Sequence, residues 1–358
     1  MRVWYNRTFS SVHAAIKLIR EADTEGRFTL IHSNANRHTP TARLAHEFHP
    51  EPTGLDSDAY VDWCLAFCRK HRIDIFVPGR EATTLAAEHR RFADIGVRVL
   101  SAAPAEMLKL VHDKARFYAE TVLPEAPVAE FRRFETLEQF DAAWDALRPH
   151  HARLCVKPSH GIYGQGFAIV DEARSSTALL LGGVEYHVGY HDLRRGLQEM
   201  GTFKTMLLME FLDGPEYSVD CVGDHGRLAA AVVRRKLPHG GSGQIIDMRQ
   251  DILDATAHLA ADYRLNGVFN AQFREGGGRP RLLEINPRMS GGIGMACLAG
   301  PNLPYIALRG FADGFEHVHV APVVNGMRVA ELSTPTELPS THPCTFPCSA
   351  GSRCPPAT

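Results

Sequence analysis

The chain has 358 residues, of which 44% are hydrophobic and 22% are charged, and its formal net charge is −2. This length is sufficient for two or three domains, and the charge provides no basic excess for binding a nucleic-acid backbone. The N-terminal stretch carries early charges rather than the apolar core of a signal peptide. No stretch approaches the roughly 20 apolar residues of a membrane span. We therefore expect a cytoplasmic protein whose partners include neither nucleic acid nor a membrane.

Eight cysteines in a chain of this size do not indicate a disulfide scaffold. Cys64 and Cys68 lie four residues apart on a predicted helix, and we interpret both as core residues. Residues 334–358 are rich in Pro, Ser and Thr, and this composition predicts a disordered tail. The tail leaves a zinc site open, although the spacing of its candidate ligands matches no standard zinc knuckle. These candidates are His342, Cys344, Cys348 and Cys354.

Strand and helix patterns alternate over residues 1–103, which predicts a parallel, doubly wound α/β sheet. The predicted strands are 2–6, 27–34, 73–79 and 97–102, and the predicted helices are 9–22, 58–70 and 82–92. Ligands of such sheets bind at the carboxyl ends of the strands. Asn34 and residues 78–81 (Pro-Gly-Arg-Glu) are therefore candidate ligand contacts. The alternative is that residues 78–81 form only a turn and the start of a helix.

The pattern changes to α+β from residue 104. One or two helices end at Pro124, and hairpins and Gly-rich loops begin after residue 128. The predicted strands are 153–158, 166–170, 205–211, 217–222, 228–235, 267–274 and 281–286. The predicted helices lie near 136–147, 173–181, 191–200, 251–264 and 303–313.

A hairpin near the end of this region concentrates polar side chains on one face. Strands 267–274 and 281–286 flank a Gly-rich turn, and side chains alternate across each strand. If Gln272 lies opposite Glu284, then Asn270 lies opposite Asn286, and the apolar face pairs Phe273 with Leu283. Carboxylate and amide oxygens are the ligands that Mg²⁺ prefers. Beyond them, Arg288 is placed to bind phosphate oxygens; the alternative is a structural Arg–Glu pair.

A second stretch, 153–170, has the character of a phosphate-binding hairpin. Its first strand ends in Lys157, and the loop that follows contains Gly161, Gly164 and Gly166. A lysine and exposed glycine amides can together grip phosphate. The stretch lacks the P-loop pattern. A Rossmann fingerprint requires a helix directly after its glycines, and none is predicted here. His160 lies in the same loop and is a further candidate phosphate contact.

A third stretch, 206–222, suits an adenine pocket. Its apolar strand ends at Glu210, and the backbone of Phe211 and Leu212 is placed to pair with an adenine ring. Glu216 opens the next strand and could accept ribose hydroxyls. The alternative is an ordinary hairpin with solvated acids.

Taken in order, these segments resemble the ATP-grasp superfamily. The segments are "HDKARFY", "CVKPSHGIYGQG", "LLMEFLDGPEYSVD", "FNAQF" and "LLEINPRMSGG". Within the superfamily, the last two segments resemble carbamoyl-phosphate-synthase-like members and the carboxylate–amine ligases related to them. The resemblance covers roughly residues 104–300. It implies a Rossmann-like pre-ATP-grasp domain over 1–103 and an ATP-grasp catalytic domain over 104–333. Within the second, a small central subdomain would span about 125–212.

The resemblance also implies cofactors and residue roles. The cofactors would be ATP and Mg²⁺ (or Mn²⁺). Lys114 and Lys157 would contact ATP phosphates, and Arg288 would stabilise the transferred phosphoryl group. Adenine would be held by Glu210, Phe211 and Leu212, ribose by Glu216, and the metal by Gln272, Glu284 and Asn286. Many relatives carry an acid in place of Gln272, which puts tight binding of a second metal in doubt.

The implied reaction joins a small-molecule carboxylate to an amine through an acyl phosphate and releases ADP and phosphate. A nucleotide-binding regulator and a kinase-like enzyme that stops at the phosphorylated product remain as alternatives. Arg234, Arg235 and Lys236 form a run of cations at a strand end, from which we select Arg235 as a substrate contact. The amides of Ser290, Gly291 and Gly292 could form an anion pocket before a helix. The sequence leaves open whether the chain forms a homodimer.

Overall fold

The computed structural model describes residues 1–8, 11–161, 165–237 and 243–335. These residues form three β-sheets that follow one another along the chain. Some sequence predictions lie outside the described residues, namely the flap residue Gly164, most of the predicted disordered tail, and the tail's candidate zinc ligands His342, Cys344, Cys348 and Cys354. The helices of the described part are too short or too polar to cross a membrane.

The N-terminal sheet is parallel and has the strand order β3-β2-β1-β4-β5. This order places β1 at the centre, with the chain winding outward on both sides, as the alternating sequence pattern predicts. The strands are β1 (Arg2–Tyr5), β2 (Thr29–Asn34), β3 (Glu47–Pro50), β4 (Ile75–Val77) and β5 (Arg98–Val99). The helices are α1 (Ser11–Ala22), α2 (Ser57–His71), α3 (Ala82–Ala87) and α4 (His89–Ala93).

An aromatic stack forms the core between this sheet and α2. Trp4 stacks between Phe67 and Phe76, at ring-centroid distances of 4.3 Å and 4.2 Å. Cys64 and Cys68 are free, fully buried members of the same cluster, so their prediction as core residues is confirmed. Burial also raises the pKa of both thiols.

Two helices, α5 (Ala105–His112) and α6 (Lys114–Glu120), lead into the central sheet, whose strand order is β6-β10-β7-β8-β9. Its strands are β6 (Phe131–Phe134), β7 (Leu154–Pro158), β8 (Ala168–Asp171), β9 (His187–Gly189) and β10 (Met206–Glu210). Its helices are α7 (Leu137–Leu147), α8 (Ser176–Leu181) and α9 (Tyr190–Met200).

The C-terminal sheet has the order β15-β14-β11-β12-β13-β16 and is antiparallel. Its strands are β11 (Glu216–Asp224), β12 (Arg227–Lys236), β13 (Gly243–Ile246), β14 (Gly267–Gly276), β15 (Arg279–Asn286) and β16 (Arg328–Ala330). The helices of this part are α10 (Gln250–Asp262), α11 (Ile293–Cys297) and α12 (Leu303–Asp313). The predicted domain limits at 103, 104 and 333, and the subdomain over about 125–212, stay predictions.

The β14–β15 hairpin confirms most of the predicted register. Gln272 lies opposite Glu284, and Asn270 lies opposite Asn286. Beyond Gln272 the register shifts at a β-bulge, so Phe273 pairs with Leu282, and its predicted pairing with Leu283 is wrong. A bulge sets two residues of one strand against one of its partner. The strands join through two glycines with positive φ, which a tight hairpin turn of this type requires.

Candidate nucleotide-binding site

A cleft of about 690 Å³ lies between the central and C-terminal sheets. This volume is in the usual range for a small-molecule site. Most of the residues singled out from the sequence line it together, although they come from separate segments of the chain. These residues are Lys114, Lys157, Gly161, Glu210, Phe211, Leu212, Glu216, Gln272, Glu284, Asn286 and Arg288.

One wall of the cleft is the polar face of the C-terminal sheet. Strand pairing places Ser218 opposite Gln272, and Gln272 opposite Glu284, so their side chains share a face. The other face of the same strands is apolar, and its buried residues include Val219 and Ala271. Since alternation repeats from strand to strand, the sheet separates a hydrophobic core from a wall of oxygen-bearing side chains.

Three side chains at alternate positions, two at the end of β15 and one just beyond it, form a connected chain on this wall. The Asn286 amide donates to Glu284 Oε1 (3.0 Å), and the Arg288 guanidinium donates to Asn286 Oδ1 (3.2 Å). From across the cleft, Lys114 Nζ lies 3.8 Å from Glu284 Oε2 and donates to the Gly161 carbonyl (2.9 Å). Burial lowers the pKa of Lys114, and the nearby Glu284 carboxylate partly opposes that shift.

Asn270 adds a buried oxygen to this wall. Its amide nitrogen donates to Ser218 Oγ, the Val219 carbonyl and Asp220 Oδ1, at 2.9, 3.0 and 3.1 Å. Its Oδ1 is buried and accepts no hydrogen bond from the described residues. An orphaned oxygen beside one carboxylate and two further amides is a donor set that fits Mg²⁺ or Mn²⁺. Sequence alternation placed Asn270 on this face without selecting it as a ligand.

Lys157 extends into the cleft from β7. Its Nζ donates to the Tyr118 hydroxyl (2.6 Å) and lies 4.7 Å from the centre of the Tyr118 ring. The Tyr118 hydroxyl donates in turn to the carbonyl of Leu283, at the β15 bulge. Burial lowers the pKa of Lys157, and the nearby Cys155 and Glu284 oppose this shift. Tyr118 therefore links the predicted phosphate-binding lysine to the strand that carries Glu284.

The predicted adenine-binding edge lies at the end of β10. Phe211 sits between two guanidinium groups, with the Arg153 and Arg274 carbons 4.6 and 5.9 Å from its ring centre. Its N–H already donates to the Arg153 carbonyl (3.1 Å). Glu216 pairs with Lys236 and lies 3.6 Å from Arg274. Two cations therefore hold in place the carboxylate that is predicted to bind ribose.

The described part of the predicted flap borders the cleft. Gly161 lines it, and Gly166 adopts a φ of 77°, a value that glycine adopts without strain. A Cβ at Gly166 would lie 3.0 Å from the Pro158 side chain. His160 is exposed and is not among the described residues that line the cleft.

The run of cations on β12 divides between the two faces of the strand. Arg235, selected from the sequence, donates to Asp247 Oδ2 (2.8 Å) away from the cleft wall. Arg234 instead is 2% exposed and forms an ion pair with the fully buried Asp220 at 2.6 Å. It also donates to Ser290 Oγ (3.1 Å), and a Cβ at Gly292 would lie within 2.7 Å of its guanidinium atoms. Arg234 therefore packs against the Ser290–Gly292 loop, whereas Arg235 lies on the other face of the strand and does not contact this loop.

The predicted ligand contacts at the carboxyl edge of the parallel sheet do not all lie at one site. Pro78 and Gly79 line a second cavity, which they share with Arg288. Arg80 stacks on the Tyr60 ring at 4.6 Å, and Glu81 accepts from Ser57 (3.0 Å). Asn34 caps its own loop by accepting from the Asn36 N–H (2.9 Å).

Three residues of the site were not selected from the sequence: Asn270, Tyr118 and Arg234. A strand parity fixed by the EINPR segment could have found Asn270. Tyr118 lies in the HDKARFY segment and Arg234 in the run of cations, but neither was selected, because their roles depend on contacts with residues 39 and 56 positions away in the chain.

Comparison with known proteins agrees with this geometry. Residues 202–335 match a family model described as ATP-grasp in the biosynthetic pathway with Ter operon. Carnosine synthase 1 of Mus musculus is 36% identical over 104 residues, which cover 26% of this chain and 13% of that protein. The carbamoyl phosphate synthase large chain of Methanosarcina acetivorans is 27% identical over 226 residues, covering 58% of this chain and 19% of that protein. The matched region is thus a small part of these curated relatives.

The fold also matches solved structures. The L-amino acid ligase from Bacillus licheniformis superposes with a TM-score of 0.60 at 15% identity, covering 89% of this chain and 77% of that chain. At this identity the match establishes the fold alone. The family model over residues 202–335, the relatives and the fold agree with the resemblance carried by the ordered motifs.

Proposed function

We propose that the protein is an ATP-dependent ligase that joins a carboxylate to an amine, with Mg²⁺ or Mn²⁺ as its metal cofactor. One observation carries the proposal: three cations and a wall of oxygen donors line one cleft. The cations are Lys114, Lys157 and Arg288, and the wall contains Glu284 and Asn286. Catalysis of phosphoryl transfer requires mainly positioning and charge neutralisation, which such a pairing supplies. The named activities of carnosine synthase and L-amino acid ligase support the same class of reaction.

Different residues of the cleft would bind the metal and the phosphates of ATP. The oxygens of Gln272, Glu284 and Asn286, with the buried Oδ1 of Asn270, would hold the metal, which neutralises phosphate charge when bound. Lys114 and Lys157 would bind the phosphates. Both lysines lose hydration in the cleft, and a phosphate would return an opposite charge to them.

The reaction then has two balanced steps. A carboxylate oxygen of the acid forms a bond to the γ-phosphorus while the bond to the bridging oxygen breaks, and that oxygen leaves on ADP. The amine nitrogen next attacks the carbonyl carbon of the acyl phosphate, phosphate leaves with the bonding electron pair, and the nitrogen loses a proton. Arg288, at the end of the oxygen wall, is placed to bind the transferred group.

The test is ADP formation by the whole chain with ATP, Mg²⁺ and pooled acids and amines. We expect ADP and phosphate to appear only with a matching acid and amine. Glu284→Gln should lower turnover by at least about 10²-fold, the scale of losing one strong electrostatic stabiliser. Glu185→Gln, at an exposed position outside the cleft, is the matched control and should leave turnover unchanged.

Other outcomes distinguish the alternatives. AMP and pyrophosphate would refute the acyl-phosphate chemistry. A stable phosphorylated acid that forms without any amine would indicate the kinase-like enzyme. ATP binding with no turnover of any pool would favour the nucleotide-binding regulator. Near-normal turnover of Glu284→Gln would refute the assignment of the metal site.

A further inference from the structure

A second cavity lies on the other side of Arg288 from the nucleotide cleft. Its volume is about 60 Å³, and Arg288 lines both spaces. Its walls come from the carboxyl edge of the parallel sheet, from α12, and from the segment that follows β15. The cavity therefore lies where the N-terminal sheet meets the C-terminal sheet.

The lining of this cavity is mostly apolar. Val77, Leu100, Leu108, Val268 and Leu308 contribute to it. Arg288 is the one charged residue among the described residues that line it, and none of these residues is acidic. A carboxylate is thus favoured at the mouth, next to Arg288. An ammonium group inside would find no carboxylate partner among these residues, and burying an unpaired charge is strongly unfavourable.

The uncharged polar residues of the lining are Tyr5, Thr8, Ser11 and Ser101, and the hydroxyls of Ser11 and Ser101 donate to backbone carbonyls. Tyr5, at the carboxyl end of β1, lines the cavity and is 4% exposed. Its hydroxyl forms no hydrogen bond within the described part of the chain, and burial raises its pKa. A neutral phenol tolerates an uncharged ligand and offers no counter-charge to a cation.

We propose that this cavity binds the acyl substrate's tail, and that the substrate is a carboxylic acid with a short, uncharged, mainly apolar tail. The proposal rests on the ligase function proposed above and narrows its substrate class. The carboxylate lies at Arg288, where it meets the γ-phosphate, and the tail points toward the N-terminal sheet. The cavity thereby excludes acids whose tail carries an ammonium group.

The volume sets the length of the tail. A group the size of a water molecule occupies roughly 10–15 Å³ of cavity volume. A cavity of about 60 Å³ therefore accommodates on the order of four to six non-hydrogen atoms. Pentanoate to heptanoate should therefore be the best straight-chain acids. Pentanoate and 4-aminobutyrate have the same size and differ by a terminal methyl against an ammonium group, so they separate the effect of charge from that of length.

The experiment measures kcat/KM for ADP release with straight-chain acids of increasing length and with this isosteric pair. We expect an optimum near five to seven carbons, and 4-aminobutyrate to be at least about 100-fold poorer than pentanoate because its ammonium lacks a partner. Ala82→Leu, which fills the cavity at the start of α3, should shorten the optimum by about two carbons. Val77→Ala should lengthen it by about two.

Ala87→Leu is the matched control, because it makes the same change at an exposed position of the same helix, away from the cavity. An optimum that stays fixed in both Ala82→Leu and Val77→Ala would overturn the proposal, as would equal use of the isosteric pair. If no acid supports ADP release, the ligase function fails, and direct binding by ligand-observed NMR still tests the cavity. Pentanoate binding that is lost in Ala82→Leu and kept in Ala87→Leu supports it, and binding unaffected by either change refutes it.

Discussion

Replacing Tyr118 with phenylalanine would test whether the link between Lys157 and the bulge on β15 is important for the site. The hydroxyl accepts from Lys157 Nζ at 2.6 Å and donates to the Leu283 carbonyl. The substitution removes one oxygen and keeps the ring, which lies under the lysine at 4.7 Å. It therefore isolates the two hydrogen bonds from the cation–π contact.

The expected loss follows from the charge and burial of the partners. A hydrogen bond to a charged group contributes about 1.5–3 kcal/mol, and a buried carbonyl left without a donor costs about 1–3 kcal/mol. Water in the cleft can replace the bond to Lys157 in part, so we expect the free energy of unfolding to fall by about 2–4 kcal/mol. The KM for ATP should rise roughly tenfold, because Lys157 is no longer held toward the phosphates.

Urea unfolding and ATP-dependent kinetics on the whole chain measure both effects. Tyr305→Phe is the control, since the Tyr305 hydroxyl accepts a longer bond from Arg309 (3.3 Å) outside the cleft, and its effect should stay within about 0.5 kcal/mol. A double-mutant cycle with Lys157→Met should show coupling of at least about 1 kcal/mol. A loss below about 0.5 kcal/mol in Tyr118→Phe, with an unchanged KM, would refute the reasoning.

Three other changes test the packing and electrostatics around the site. Asp220→Asn should lower the free energy of unfolding by about 3–5 kcal/mol, because it leaves the buried Arg234 without its counter-charge. In urea titrations, adding Arg234→Met to this variant should restore part of the lost stability. A double variant that is less stable still would contradict this. Gly79→Ala should lower the free energy of unfolding by about 1–3 kcal/mol, because a Cβ there would collide with the neighbouring backbone and a threonine. Gly196→Ala, in an open helical position, should instead raise it by about 0.5–1 kcal/mol. Equal stabilities of the two variants in calorimetry would refute the packing argument. Lys157→Met should abolish ATP-dependent turnover but raise the free energy of unfolding at neutral pH, because burial lowers the pKa of Lys157 and disfavours its charged form when the cleft is empty. This gain in stability should shrink as the pH rises from the lowered pKa toward 10.5, since the folded lysine then becomes neutral. Urea titrations that give a constant gain from pH 7 to 10 would refute this.

The sequence predicted most elements of the fold because long elements carry a clear period. The amphipathic helix α12 and the long strands β11, β12 and β14 match their predicted ranges within about two residues. The strands that were missed have only three or four residues each, which is too few to show alternation. These are β3, β6, β9, β13 and β16, and all but β13 lie at the edge of a sheet. The predicted helix over 82–92 divides at Glu88 into α3 and α4.

The candidate site was predictable wherever one strand fixes the geometry. Glu284 and Asn286 share a face because two-residue periodicity is a property of the extended backbone itself, and the pairing of Gln272 with Glu284 follows once the Gly-rich turn is set. The pairing of Phe273 was not predictable, because a bulge depends on how two strands and their neighbours pack.

Ordered motifs and strand alternation indicated the fold and the resemblance to ATP-grasp proteins from the sequence, because both are local properties of the chain. Tertiary packing, in contrast, sets which of two adjacent arginines faces the site. Arg234 is buried against Asp220 and Ser290, and Arg235 pairs with Asp247 on the other face. A run of cations gives no strand parity of its own, since parity is set by the hydrogen-bonded neighbours β11 and β13. In the same way, distant segments meet at Arg288 to enclose the second cavity, because burial and proximity are properties of the packed chain.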